Sequence, residues 1–319
     1  MHEFELINKY FSKLTSNNRN SLSLNDDVFF DKSKKLVISV DSYVDGVHFI
    51  NFKDPHLVIK KILRSSISDL ICKGVDPKYY FISGSGNKKT FTKKNLQRVS
   101  KSLKEEQKKY LISLCGGDTV FSKKLSFTIV SIGFSDKIVL RNKAKLNDDI
   151  YVTNNLGDSF VGLKILQYKI KLNSNLSSYF KHKYFHPDLP KNITKKLLLF
   201  ANTSIDISDG LISDLEKLIN KQKLSYELYL KDIPISRNLQ KIVDLRIVDK
   251  ISSISHGDDY QVLFTASPSK SRIITKVSKS LGIKISKIGK ICTYTQKSQI
   301  INEKNKKIAL NNKGYFHKF

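Results

Sequence analysis

Asp206 and Asp209 stand three residues apart in Ser204-Ile-Asp-Ile-Ser-Asp-Gly-Leu-Ile-Ser-Asp-Leu215, with Ser208 between them. Two carboxylates at that spacing repel, and one must take up a proton unless a cation neutralises them. Short oxygen donors on a rigid turn suit Mg²⁺, which in such sites commonly carries a substrate phosphate. Taken singly the pair is as well explained by a helix N-cap beside a turn aspartate. The theme recurs, however, at Asp26-Asp27, Asp41, Asp69, Asp118 and Asp258-Asp259, most of them near the ends of apolar β-like runs. Asp supplies 22 of the 29 acidic residues and Glu only 7, whereas an ordinary exposed helix surface favours Glu. Stiff carboxylates at element ends are what a site for metal ions and phosphates requires.

The elements that must present these acids can be read from periodicity. Ile205 and Ile207 form a short β run that breaks at Gly210 into an amphipathic helix carrying Leu211, Ile212, Leu215, Leu218 and Ile219. Lys34–Asp41 reads as a strand ending in a carboxylate. Asp54-Pro55 opens a helix that runs to about Cys72, with Gly74 just past its end. Asp69 falls in the last turn of that helix, where the dipole disfavours an anion, so a compensating partner is expected. A helix over 3–15 with Phe4, Ile7, Phe11 and Leu14 on one stripe, a strand over Lys78–Ser83, a helix over Thr92–Lys109 and strands over Tyr110–Leu114 and Leu125–Phe134 complete the first half. In Cys115-Gly-Gly-Asp-Thr119 two glycines before an aspartate let backbone approach a phosphate or a metal closely. The second half starts at Asn147-Asp-Asp-Ile-Tyr-Val-Thr153, with a helix from Gly157-Asp158 through Tyr168, a polar and aromatic stretch over 170–191 that reads as loop with a short helix, and a helix over Lys191–Ala201. Ser255-His-Gly-Asp-Asp-Tyr-Gln-Val-Leu-Phe264 is then a turn running into a strand, followed by a strand over Lys284–Ile291. Alternating strands and helices in both halves make mixed α/β, of the α+β type, the expected class.

Composition narrows the function classes. A chain of 319 residues has room for two domains. No stretch approaches the roughly 20 apolar residues of a membrane span, and the start shows no secretory signal pattern, so a cytoplasmic protein without membrane association is expected. Cys72, Cys115 and Cys292 are isolated, which argues against a disulfide framework or a zinc site. The net charge of +27 invites a nucleic-acid reading. Against it, 49 of the 56 basic residues are Lys and only 7 are Arg, and the lysines are spread along the whole chain; base and phosphate readers lean on the bidentate arginine fork. A solvated lysine-rich surface, with no specific nucleic-acid partner, fits better.

Together the motifs resemble the thiamine-monophosphate kinase family, within the superfamily that includes aminoimidazole ribonucleotide synthetase. Asn25-Asp-Asp is similar to its Gly-Asp-Asp, and Ser39-Val-Asp-Ser-Tyr-Val-Asp-Gly-Val-His-Phe49 to its Thr-Asp…Gly-x-His-Phe. Ser66-Ile-Ser-Asp-Leu70, Gly116-Gly-Asp-Thr119, Arg141, Ile205-Asp-Ile-Ser-Asp-Gly-Leu211 and Gly257-Asp-Asp-Tyr260 follow in order, and the terminal Gly314-Tyr-Phe-His-Lys-Phe319 is similar to a family ending. The chain departs at Asn25, where the family has Gly; at His256-Gly-Asp-Asp, where it has Gly-Gly-Glu-Asp; and at Pro187-Asp-Leu-Pro190, which lacks the family arginine.

The resemblance implies a two-domain aminoimidazole ribonucleotide synthetase-like fold: an N-terminal ATP- and Mg-binding and dimerisation domain over 1–137, and a C-terminal α/β domain over 138–319. The N-terminal sheets of two subunits would pair into a barrel and make a homodimer. It further implies Mg-dependent phosphorylation of thiamine phosphate by ATP, giving thiamine diphosphate. Asp27, Ser39, Asp41, Asp69, Asp118, Asp206 and Asp209 would hold the metal ions, with Asp27, Asp118 and Asp209 closest to the transfer. Gly117, Asp118, Arg141 and Ser208 would contact ATP, and His48, Asp258 and Tyr315 would face the thiamine end. The alternatives are an aminoimidazole ribonucleotide synthetase-like ligase and a basic nucleic-acid-binding protein.

Overall fold

The computed structural model describes residues 3–308 and Gly314. Its strands are β1 (Phe29–Asp31), β2 (Leu36–Val44), β3 (Pro77–Gly86), β4 (Ser113–Gly116), β5 (Thr119–Phe121), β6 (Ser126–Phe134), β7 (Asp149–Thr153), β8 (Thr203–Asp206), β9 (Leu224–Tyr229), β10 (Val262–Ala266), β11 (Ile285–Thr293), β12 (Gln299–Ile301) and β13 (Lys307–Ile308). The α-helices are α1 (Glu3–Leu6), α2 (Pro55–Cys72), α3 (Lys93–Tyr110), α4 (Asp158–Leu166), α5 (Ser174–Phe185), α6 (Thr194–Leu197), α7 (Leu211–Leu218), α8 (Arg237–Asp244), α9 (Lys250–Ile254) and α10 (Ser271–Leu281).

The strands form two sheets. The first runs β1-β2-β6-β3-β4, with β5 also on β3; the second runs β13-β12-β9-β11-β7-β10-β8. Most pairings are antiparallel; β4 and β5 on β3, and β12 on β9, are parallel. Among the described residues no strand pairs from one sheet to the other, and the first sheet does not close on itself.

Alternation decides which face of the first sheet is covered. On β2, Val37, Ser39 and Tyr43 are buried beneath α2, while Val40 on the opposite face is 63% exposed. α2 forms where expected. Asp54 Oδ1 accepts from Leu57 N at 3.3 Å, Pro55 opens the first turn, and Gly74 at φ +80° leads the chain off the end. α2 is buried nearly all round because it lies between the sheets, against β2 and β6 on one side and β8 and β10 on the other. One apolar cluster therefore runs from Ile59, Ile62, Phe127 and Ile129 to Leu197, Val262 and Phe264 in the second half. α3 covers α2 from outside. Their buried contact is Arg64 Nε and Nη2 donating to Glu106 Oε2 and Oε1 at 2.7 and 2.9 Å, a two-point charged pair.

Three local expectations change, and one short helix is filled in. The segment after α1 continues as a π-helical turn over Ile7–Phe11 and a 3-10 turn over Ser12–Thr15, with Phe11 and Leu14 exposed. The short helix expected within 170–191 is α5, capped by Asn173 accepting from Leu176 N at 3.0 Å and anchored by buried Phe180 and Tyr184. The helix expected over 191–201 shortens to a 3-10 turn and α6. Tyr110 ends α3 rather than starting a strand, since left-handed Leu111 stops the helix and β4 begins only at Ser113.

Candidate active site

The inner face of β2 carries Ser39 and Asp41 two residues apart, and one face of α2 carries Ser66 and Asp69 above them. Ser39 Oγ donates to Asp69 Oδ2 at 2.6 Å and lies 3.3 Å from Asp41 Oδ2. Ser66 Oγ meets Ser131 Oγ of β6 at 2.9 Å. On the other side of α2, Ser68 Oγ donates to Asp206 Oδ2 at the end of β8. Helix α2, with its own Asp69, thus spans the gap between Asp41 on the first sheet and Asp206 on the second.

Asp206 is buried and Asp41 and Asp69 are half-buried, and desolvation makes all three reluctant to ionise. Asp41 is pushed up to about 7 by desolvation, with the charge of Asp27 adding and the Ser66 and Ser39 hydroxyls opposing. Asp206 is pushed up to about 8, again by burial first and then by Asp27, with Ser68 opposing. Asp69 is raised well above the carboxylate range by burial and by Asp41 and Asp206. Asp27 is the opposite case. Burial raises it too, but Lys73 and Arg141 outweigh that and hold it below the usual range. Arg141 Nη1 donates to Asp27 Oδ1 at 3.2 Å, and its backbone N–H donates to Asp26 Oδ2 at 2.8 Å.

After β8 the chain turns through Ser208, Asp209 and Gly210 into α7. Asp214 Oδ2 accepts the backbone N–H groups of Asp209 and Gly210 at 2.9 and 3.1 Å, and Lys217 Nζ ion-pairs with both Asp209 and Asp214. This turn lies against the one before β10. Asp258 N donates to Ser208 O at 2.9 Å and Tyr260 N to Ile207 O at 2.8 Å. A Cβ on Gly257 (φ +74°) would lie 2.0 Å from Ser208 O, so only glycine allows that approach. At the rim, Asp258 Oδ1 takes Lys61 Nζ of α2 at 2.5 Å and the Tyr260 hydroxyl at 3.0 Å, while Lys61 Nζ stands 4.2 Å from the Tyr184 ring centre. Carboxylate and aromatic rings together make a cation-binding corner.

Of the expected site residues, Asp27, Ser39, Asp41, Asp69, Arg141 and Asp206 come together. Ser208 and Asp209 lie on the adjoining turn and Asp258 on the next. His48 closes the turn after β2, its Nδ1 accepting from Val44 N at 3.0 Å and its ring edge-on to Tyr43. Gly117 and Asp118 stand apart on the exposed link between β4 and β5; Asp118 Oδ1 accepts from Thr119 N at 2.7 Å, and no hydrogen bond or ion pair among the described residues joins either to the other acids. Tyr315 lies outside the described residues. Lys61, Lys73, Asp214 and Lys217 went unmarked in the sequence. The available signal was that Lys61 and Lys73 interrupt the apolar runs Val58–Leu63 and Leu70–Val75, where a solvated lysine would be out of place.

Residues 25–135 match the family described as AIR synthase related protein, N-terminal domain. The thiamine-monophosphate kinase of Buchnera aphidicola subsp. Schizaphis graminum is 33% identical over 326 residues, covering 99% of this chain and 98% of that protein. The chain belongs to the thiamine-monophosphate kinase family. The crystal structure of thiamine monophosphate kinase from Aquifex aeolicus superposes with a TM-score of 0.79 at 25% identity, covering 97% of this chain and 99% of that one. The solved structure described as AaThiL complexed with AMPPCP and TMP has the same fold, with a TM-score of 0.85 at 24% identity over 99% of this chain and 97% of that one. The family's mixed α/β architecture is therefore the fold of this chain, in which α2 and the turn after β8 are brought together.

Proposed function

We propose that this protein transfers the terminal phosphoryl group of ATP to thiamine phosphate, giving thiamine diphosphate and ADP, with Mg²⁺ as the required ion. The observation that carries the reading is the set Asp41, Asp69 and Asp206, the first two half-buried and the last buried, lying between the two halves and taking part in none of the ion pairs among the described residues. Desolvated like charges without a basic partner call for a cation. The donors fit magnesium by kind: they are carboxylate and hydroxyl oxygens. As arranged, no three acidic, imidazole or thiol groups among the described residues already form a ligand cluster, so ion binding would draw the carboxylates inward.

In this reading Asp27, Ser39, Asp41, Asp69, Asp118, Asp206 and Asp209 hold the ions. Gly117, Asp118, Arg141 and Ser208 contact the nucleotide; His48, Asp258 and Tyr315 face the thiamine end. Bound magnesium supplies neutralisation of charge on the transferring group. The chain itself supplies alignment: α2 fixes the acids of both sheets relative to one another, and Arg141 offers a fixed positive charge. No general base is needed, because a phosphate monoester with a second pKa of about 6 is already mostly deprotonated at neutral pH. In-line attack then depends on positioning.

The reading also includes a division near residue 137 and a homodimer in a compartment such as the cytoplasm. Supporting the dimer, the outer face of the first sheet exposes Val40, Tyr79, Phe81, Val120 and Phe134, an apolar patch of the kind that marks a protein–protein contact. No helix among the described residues is long and apolar enough to cross a membrane. The test is to incubate purified protein with Mg-ATP and, separately, thiamine phosphate, free thiamine and formylglycinamidine ribonucleotide, and to resolve the products by chromatography. ADP formed one-for-one with thiamine diphosphate is expected; ring closure of the ribonucleotide without thiamine diphosphate would overturn the assignment.

A further inference from the structure

The buried charges fall into two unlike sets. Asp41, Asp69 and Asp206 have serine hydroxyls as their hydrogen-bond donors. Asp26 and Asp27, by contrast, are matched one for one by Lys73 and Arg141. Lys73 Nζ lies 2.7 Å from Asp26 Oδ1 and 2.8 Å from Asp27 Oδ2, and donates to Ser204 O at 2.9 Å. Its side chain is 0% exposed. The lysine follows the last residue of α2, so the helix end delivers its ammonium between the loop before β1 and strand β8. Two carboxylates and a backbone carbonyl around one positive centre are also an ordinary donor set for a hard divalent ion.

We propose that Lys73 is a resident cation of the phosphate site, standing where a divalent ion would otherwise be needed between Asp26, Asp27 and Ser204 O. The inference rests on the kinase reading above and sharpens it: the ions gather at Asp41, Asp69 and Asp206, and this chain takes up fewer of them than its carboxylates suggest. Lys73 acts through Asp27 and is a positioning residue. A fixed ammonium also leaves the second oxygen of Asp27 oriented whether or not an ion is present.

The experiment counts ions. Full-length protein saturated with a non-hydrolysable ATP analogue is titrated with Mn²⁺, and bound ion is read by electron paramagnetic resonance, for the wild type and for Lys73→Met. Turnover is followed in parallel against Mg²⁺ concentration, and folding by circular dichroism. Lys73→Met is expected to bind one ion more per chain, and to need roughly tenfold more Mg²⁺ for half-maximal turnover, the scale of one lost charged contact. A variant unfolded in chelator that refolds on adding Mg²⁺ supports the proposal equally. A folded variant with an unchanged ion count and an unchanged Mg²⁺ profile overturns it. So does a variant that stays unfolded at every Mg²⁺ concentration, because an ion able to stand in for the lysine would have refolded it. An extra ion in Lys73→Met, with no thiamine diphosphate made by either protein, would refute the kinase reading and leave the role of Lys73 standing.

Discussion

Asp206 shows how a residue suited to a loaded site is costly in an empty one. Its folded pKa is raised to about 8 and that of Asp41 to about 7, against 3.8 for the free side chain. A carboxyl raised on folding contributes stability that is fully present below about 4 and is lost as pH rises through the folded value. In chelator the protein should therefore lose melting temperature between about pH 4 and pH 8, and the gain on adding Mg²⁺ should be larger at pH 8 than at pH 6. Differential scanning calorimetry across that range checks the sign; a gain independent of pH would exclude these carboxyls as ion ligands. Asp206→Asn should abolish turnover and leave chelator-state stability at pH 8 equal to or above wild type, since a buried charge goes while a polar acceptor stays. Asp118→Asn should also abolish turnover; near-normal rates at saturating Mg²⁺ would remove Asp118 from the site. At this scale the aspartates were legible in the sequence because their abundance over glutamate and their places at strand ends are local facts. Lys73 was not. Among 49 lysines, Lys61 and Lys73 are buried; both interrupt apolar runs, but only the fold settles which carboxylates each one meets.

At the scale of elements, α2 was readable from end to end. Asp54, Pro55 and Gly74 are chemical punctuation, and the chain between them is long enough to leave little ambiguity. Asp54→Ala should cost about 1 kcal/mol of stability, the usual worth of an N-cap, and leave the rate per folded molecule unchanged; urea denaturation with an activity assay on the same samples separates the two. Gly257→Ala should behave differently. Its Cβ would collide with a backbone carbonyl rather than a movable side chain, forcing the turns carrying Ser208 and Asp258 apart, so turnover should fall by at least about tenfold, the scale of a misplaced reacting group. Helix α5 was legible only as a short helix of unplaced ends, because its sequence, Ser-Asn-Leu-Ser-Ser-Tyr-Phe-Lys-His-Lys-Tyr-Phe, has a weak apolar stripe; packing of Phe180 and Tyr184 against neighbouring elements holds it. The expected helix over 3–15 failed although its stripe is good, since Phe11 and Leu14 at its end lie exposed.

For the whole molecule, charge and apolar surface make separate predictions. If the lysines are solvated, binding to generic RNA should be weak and fall steeply as salt rises, and tight selective binding at physiological salt would contradict this. If the outer face of the first sheet joins two copies, Val40→Asp should yield monomers by sedimentation velocity with the secondary structure intact. The mixed α/β class followed from alternating elements, but the pairing order of the two sheets, and the placing of one helix between them, depend on long-range contacts that no local pattern records.

That helix has a consequence for how the molecule comes apart. Because both sides of α2 are covered by different sheets, neither half can keep its own inner face dry once the other leaves. Loosening one sheet exposes apolar surface on the second and also separates Asp69 from Asp206. The molecule should accordingly melt in one transition followed alike by tyrosine fluorescence and far-ultraviolet dichroism, and ion affinity should vanish within that same transition rather than fade ahead of it.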